Sequence, residues 1–421
     1  MTSSKPAVQG AARRAVAGVS HKPPRVMFVT HSLELGGTER HLAQIAPALM
    51  ARGFDVTIGC VGARGTLWPL VAQHGIRLTG PPDWPRLLTT TRLGRALAIA
   101  LGGTRLLFAM LRHRPDIAHF FLTSAYLIGA PCAALARVPI QIMSRRSTNE
   151  YQHKYKWAPR LERWLHRRMD LVLGNANRIA RELIDDEGVP AAKAGVIYNG
   201  TDLEVYSGAF DRAAARGRLG LAADDLVLSI VANLSYYKGH ADLLDALARI
   251  QPALPNNWRL LVIGHDLGFG CQLESQTRRL GLSEHVHFLG RRRDIPDLLR
   301  AADIGILAST GLEGFSNAII EGMAAGLPMV VTDVGGGQEA VLDGVCGFVV
   351  PPRMPRALGA AILKLADSRE LRQSMGAAAR ARAISEFSLT TCVGKYAAVY
   401  QALLAGQPVV PIVGFPSGES A

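Results

Sequence analysis

This chain of 421 residues has little with which to build covalent or metal staples. Its five cysteines, Cys60, Cys132, Cys271, Cys346 and Cys392, show no paired spacing, which argues against a zinc site or a disulfide framework and fits a reducing cytosol. Asp-x-Asp occurs nowhere in the chain, so no metal site is expected and any cations at the site should be side chains and helix termini. Aromatic residues make up only 6%, and no stacking motif or recognition module stands out, so nucleic acid is not expected as a partner. Residues 1–24, "MTSSKPAVQGAARRAVAGVSHKPP", lack the compact apolar core of a secretory signal and read as a flexible leader. The longest weakly polar run, 93–114, is broken by Arg95, Arg105 and the glycine pair at 102–103, so a bilayer span is not expected.

Acidic residues are scarce in one half only. Residues 1–205 hold 27 Lys+Arg against 14 Asp+Glu, an excess of 13, whereas 206–421 hold 20 of each. A basic first half attracts anionic lipid, a phosphorylated acceptor or nucleic acid, or serves solubility alone. "RLERWLHRRM" (160–169) reads either as an ordinary charged helix face or as a membrane foot.

What the chain does have is a run of apolar strands, each followed by small, turn-forming residues. "RVMFVTHSLELGGTERHLAQIAPALMARGFDVTIGCVG" reads as a strand over 25–30, a glycine loop, a helix ending near Gly53 and a strand over 55–61. "PDIAHFF" (115–121) and "LVLGNA" (171–176) repeat the pattern. It restarts after "GVIYNGTDLEVY" (195–206), a turn-rich connection, with apolar segments in 226–240, 258–266, 286–309, 329–336 and 347–352. These features imply an α/β chain of two doubly wound parallel sheets, spanning 25–200 and 201–388. A helix over 389–405 is expected to pack back on the first domain, ahead of a flexible tail over 406–421.

In open α/β sheets ligands sit beyond the carboxyl ends of the strands. Gly36 and Gly37 follow the first strand, His119 closes another, Lys238 follows the first strand of the second half, and Glu313 follows "IGILAS". "SNAIIEGMAAG" reads as a helix with Ser316 or Asn317 at its N-cap, ended by Gly326 and Pro328. Free amides at such a helix start form an anion site. Glu313 and Glu321 would repel phosphate there, and are better placed to accept hydrogen bonds from sugar hydroxyls beside it. Singly these features are bland: two glutamates on a helix are usually solvated, and a lone lysine is usually surface charge.

Together, in order and spacing, they carry a resemblance. Glu313…Glu321 matches an E-x7-E motif, "GGTER" (36–40) a glycine loop, Lys238 in "SYYKG" a donor-phosphate lysine and "NGTD" (199–202) an interdomain segment. From about Arg25 to Ala405 the sequence resembles the family 4 glycosyltransferases of the GT-B fold, which are retaining and nucleotide-sugar-dependent. The resemblance implies two Rossmann-like domains facing across a cleft, the first taking the acceptor and the second the donor. It implies that Glu321 bonds the nucleotide ribose, Glu313 contacts the transferred sugar, backbone around Phe315, Ser316 and Asn317 meets sugar and phosphate, and Lys238 neutralises the diphosphate. The catalytic set is then Glu313, Lys238 and His119, and the donor-binding set adds Gly36, Gly37, Asn233 and Arg293, with no cofactor.

The implied function is transfer of a sugar from a nucleotide diphosphate sugar to a glycan or lipid-linked glycan, in cell-surface polysaccharide synthesis, in the cytoplasm and peripherally on the inner membrane face. A GT-B epimerase or hydrolase is the alternative enzyme, and a basic nucleic-acid-binding protein the non-enzyme alternative. Two positions depart from the family pattern. Asn233 stands where many relatives have arginine, which leaves Arg145, Arg146 and Arg291–Arg293 as candidate substitutes. "HFF" stands where relatives often have His-x-His, so His119 points either into the cleft or into the core.

Overall fold

The computed structural model describes residues 22–81, 91–149, 152 and 157–409. The expected leader lies almost wholly outside these residues, as does most of the expected tail. Seven strands form the first sheet: β1 (Arg25–Thr30), β2 (Asp55–Cys60), β3 (Arg77–Thr79), β4 (Ile117–Phe121), β5 (Ile140–Arg145), β6 (Leu171–Gly174) and β7 (Ala194–Val196). Six form the second: β8 (Leu226–Val231), β9 (Trp258–Ile263), β10 (Val286–Gly290), β11 (Ile304–Leu307), β12 (Met329–Thr332) and β13 (Gly347–Val350). Their orders are β3-β2-β1-β4-β5-β6-β7 and β10-β9-β8-β11-β12-β13, and within both sheets every pairing is parallel.

The central strands are apolar on both faces because helices cover both. β4 and β11 are buried along their whole length, as parallel sheets require. One face of the first sheet packs on the crossover helices Arg92–His113, Thr123–Leu135 and Ala158–His166. The other packs on helix Gly37–Met50 and on the C-terminal helix Leu389–Leu404, whose Val393, Tyr396 and Tyr400 join Phe28, Leu42 and Phe121 in one apolar cluster.

Two chain crossings join the halves and lie side by side. Thr201 and Ser388 form a parallel bridge, in which Thr201 N donates to Phe387 O at 3.0 Å and Leu389 N to Thr201 O at 2.8 Å. By length and composition, one described helix is apolar enough to cross a membrane, over Ala96–His113, with a mean hydropathy of 1.2.

Candidate functional site

Each sheet reverses its winding once, between β1 and β4 and between β8 and β11. At such a switch point adjacent loops diverge and leave a crevice past the strand ends. Around the second crevice the structure gathers most of the expected residues.

Lys238 comes from the loop after β8. It ends the short turn Tyr236–Lys238, and Gly239 follows at φ +70°. A Cβ on Gly239 would lie 1.7 Å from Ala308 O, so only glycine lets this turn press against the end of β11. That approach carries Lys238 Nζ onto Glu313 Oε1, which also accepts from Ser309 Oγ at 2.8 Å. The paired side chains keep 16% and 11% of their surface exposed. The sequence suggested separate roles for this lysine and glutamate, and the structure holds them as one ion pair at the crevice floor. Leu312, just before Glu313, sits at φ +57°, a conformation that costs a branched residue about 1–3 kcal/mol and persists only under surrounding constraint.

Helix Asn317–Ala324 starts beside this pair. Ser316 is its N-cap but makes no side-chain capping bond, so the first-turn amides keep their capacity for an anion. Gly326 at φ +82° ends the helix. Glu321 lies one turn in, and burial pushes its carboxyl up to about 7, with the Arg40 guanidinium of helix Gly37–Met50 opposing the shift. The Phe315 ring is buried against Tyr198 and Phe387 at centroid distances of 4.9 and 5.1 Å.

The loop 313–317 is fixed from the first domain. Asn199, in the crossing segment, is 4% exposed and uses its whole amide. Nδ2 donates to Phe315 O and to Asn317 Oδ1, both at 2.8 Å, and Oδ1 accepts from Arg146 Nη2 at 2.7 Å and Asn175 Nδ2 at 3.4 Å. A Cβ on Gly314 would come within 2.5 Å of Arg146 O, so the domains touch backbone to backbone here. A second clasp is Glu339, whose carboxylate accepts from the amides of Asn177 and Arg178 at 2.7 and 3.0 Å and so caps helix Asn177–Asp185. Asn199 belongs to the interdomain segment "NGTD" that the sequence singled out, whereas Asn175 and Glu339 are positions at this site that sequence reasoning had not. The available signal was polar residues directly after a strand and a small-residue loop, in "GNAN" (174–177) and "VGGGQEA" (334–340).

The other expected residues lie apart from this group. His119 is fully buried, its Nδ1 and Nε2 each 2.7 Å from Tyr400 Oη and Ser144 Oγ. It stacks on Phe121 at 4.2 Å, and burial, with the Arg146 charge nearby, holds its pKa well below the ordinary imidazole value. This histidine is packed into the core beneath the C-terminal helix rather than at the cleft surface. Gly36 is the N-cap of helix Gly37–Met50, with no side-chain cap, and Gly37 is exposed with open space around its Cα. The exposed Asn233 accepts from His265 N at 3.2 Å, and Arg293 is exposed past β10.

Of the candidate substitutes for the missing arginine, Arg145 is held by Glu187 at 2.8 and 2.9 Å and by Glu162 at 3.2 Å, away from the crevice. Arg146 is buried against Asn199 and lies near Glu39 and Tyr396. Arg292 pairs with Asp294.

Comparison with known proteins places this geometry in context. The family described as Glycosyltransferase Family 4 matches residues 35–205 and that described as Glycosyl transferases group 1 matches 211–382. The chain is 35% identical over 253 residues to a D-inositol 3-phosphate glycosyltransferase of Geodermatophilus obscurus, a match covering 58% of this chain and 56% of that protein. It thus spans about half the length of that relative. It is 29% identical over 410 residues to a glycogen synthase of Mycobacterium tuberculosis, covering 90% and 95% of the two chains. Among solved structures, Anabaena HepE with UDP bound superposes with a TM-score of 0.77 at 26% identity, over 90% of this chain and 100% of that one. HepE has also been solved with UDP-glucose.

Proposed function

Because the chain belongs to the family 4 glycosyltransferases of the GT-B fold, we propose that it transfers a sugar from a nucleotide diphosphate sugar to a glycan or lipid-linked glycan, with retention at the anomeric carbon and without a metal. The observation that carries this reading is the switch point between β8 and β11, where Lys238, Glu313 and the uncapped start of helix Asn317–Ala324 converge.

In this reading the helix amides and Lys238 take the diphosphate. Negative charge grows on the leaving phosphate as the glycosidic bond breaks, and a fixed ammonium there stabilises the transition state more than the bound donor. In the free enzyme Glu313 holds Lys238. A diphosphate competes for that ammonium and releases the carboxylate to accept from sugar hydroxyls. Glu321, one turn further on, accepts from the ribose. Arg293 and Asn233 flank the mouth, and the first domain, with Gly36 and Gly37 at a second helix start, closes over the sugar. His119 supports the first-domain wall from within. The excess positive charge of the first half favours a peripheral site on the inner face of an anionic membrane, in cell-surface polysaccharide synthesis.

The test is a thermal-shift screen of nucleotide sugars, UDP-glucose first, since a ligand bound only by the native state raises stability by mass action. A shift with one donor, followed by turnover that survives a chelator, supports the proposal. Donor turnover that proceeds equally well without any acceptor would favour the hydrolase or epimerase alternative.

A further inference from the structure

The crevice between β8 and β11 is short of positive charge for a diphosphate. Asn233 stands where many relatives have arginine, and its Oδ1 is already used by His265 N at 3.2 Å. Lys238, the cation that the second sheet does bring there, is held by Glu313 in the free protein. One ammonium does not neutralise a diphosphate, so a second cation is wanted at the same place.

The arginines of the second sheet and of the crossing do not supply it. Arg145 is engaged by Glu187 and Glu162, and Arg146 by Asn199. Arg291 and Arg293 follow β10, the edge strand, which lies two strands from β8 and so about 10 Å to the side. Arg292, between them, is paired with Asp294.

The first domain presents an arginine with nothing to hold it. Helix Gly37–Met50 begins past the carboxyl end of β1, and Arg40 closes its first turn, with Arg40 N donating to Gly36 O at 3.0 Å. Side chains on a helix lean toward its N-terminus, so an arginine at this position projects over the uncapped start and out past the strand ends. Arg40 is exposed and, among the described residues, its guanidinium makes no ion pair and no hydrogen bond. Its acidic neighbour does not claim it. Glu39 is folded back over Gly36, where an added Cβ would lie 2.1 Å from Glu39 Oε2, and its carboxylate lies near Arg146.

A chain of contacts sets this turn opposite helix Asn317–Ala324. Arg146, beside Glu39, donates to Asn199 Oδ1 at 2.7 Å, and Asn199 Nδ2 donates at 2.8 Å to Oδ1 of Asn317, the first residue of that helix. Arg40 itself is close enough for its charge to act on Glu321, one turn further along. It therefore faces the first turns of the helix across the gap between the domains.

We infer that Arg40 is a donor-binding residue supplied by the first domain, its guanidinium taking the diphosphate together with Lys238 and standing in for the arginine absent at position 233. The guanidinium fork matches paired phosphate oxygens. A cation on the second domain would act wherever the first domain stood, whereas Arg40 acts only when the two domains face each other. The exchange makes donor affinity in this chain depend on the first domain. The inference rests on the proposed donor site and adds to it a residue from the opposite wall.

The experiment is calorimetry of the full chain with UDP, GDP and ADP, followed by ligand-observed NMR with the nucleoside of whichever diphosphate binds. Arg40→Gln should weaken the diphosphate by about tenfold or more, the size of one charge-assisted hydrogen bond. It should leave the nucleoside and the melting temperature of the free chain nearly unchanged, and Arg40→Lys should recover part of the loss. Asn233→Arg in the Arg40→Gln background should recover most of it, whereas Asn233→Ala, the control for the bond to His265, recovers none. Diphosphate affinity in Arg40→Gln within about twofold of the unmodified chain, an equal loss for diphosphate and nucleoside, or R40Q/N233R no better than R40Q would overturn the inference and leave the donor reading standing. An unmodified chain that binds none of the diphosphates would overturn the donor reading, and the role of Arg40 with it.

Discussion

The two sheets are wound alike, with one switch point each in the same place of the strand order, yet they use it differently. At β8 and β11 the loops bring an ion pair and an uncapped helix start to the crevice. At β1 and β4 the expected histidine, His119, lies in the middle of β4, is turned inward and is tied to Tyr400 of the C-terminal helix. The first half instead carries exposed leucines, a phenylalanine and exposed arginines on helix Arg92–His113, on its flank. Equal topology supplies two crevices, and the side chains that line them differ; in the proposed function the second receives the donor.

The comparison breaks most severely at Lys238. Lys238→Met removes the cation of the second crevice and leaves Glu313 without its partner. Turnover of the donor is expected to drop by roughly 10²–10³, the range for losing one preorganised electrostatic contact, with Lys238→Arg partly restoring it. Steady-state kinetics with the donor found in the screen checks this, and a loss below threefold would detach the lysine from catalysis.

Next in size is Asn199, the only side chain that fastens the first domain to both Phe315 and Asn317 among the described residues. Asn199→Leu removes one partner of the Arg146 guanidinium and strands the Phe315 carbonyl, and should lower the unfolding free energy by about 2–3 kcal/mol. Denaturant titration measures it. If the loss is confined to turnover with stability intact, the asparagine acts on the loop alone.

The proton of Glu321 sharpens the same contrast. Burial raises its carboxyl from 4.5 to about 7, so between these values the native state holds a proton that the unfolded chain has released. That contribution to stability is fully present below about pH 4.5 and is lost as pH rises through about 7. The melting temperature of wild type relative to Glu321→Gln should therefore fall across that window, and a constant difference would show the carboxyl to be solvated.

The smallest effect belongs to Glu339. Glu339→Gln keeps the shape of the cap on helix Asn177–Asp185 but removes its charge, for about 0.3–1 kcal/mol. The expected signature is a slightly wider distribution of interdomain distances in X-ray scattering, with donor affinity unchanged.

Much of this was legible in the sequence because it depended on local patterns. The strands that read as continuous apolar runs are the ones buried on both faces, and the helix start at Ser316 and end at Gly326 followed from N-cap and C-cap chemistry. What was not legible depended on pairs distant in the chain. The side-chain direction of His119 is set by Tyr400, 281 positions away. The Lys238–Glu313 pair spans 75 positions, and the Glu339 cap reaches back 162 to Asn177. β3, only three residues long, carries too short a pattern to be read at all. Arg145 and Arg146 are adjacent and looked equivalent, but strand geometry sends neighbouring side chains to opposite sides. One is paired with Glu187 and the other reaches the crossing at Asn199.

The measurement closest to the central claim is calorimetric binding of free UDP and of the intact donor to Glu321→Gln and Glu313→Gln. If the second crevice reads ribose at Glu321 and sugar at Glu313, Glu321→Gln weakens both ligands, while Glu313→Gln spares UDP and damages binding or turnover of the donor alone. Equal loss of free UDP in both variants, or no loss in either, would contradict the assignment of the donor site to this crevice.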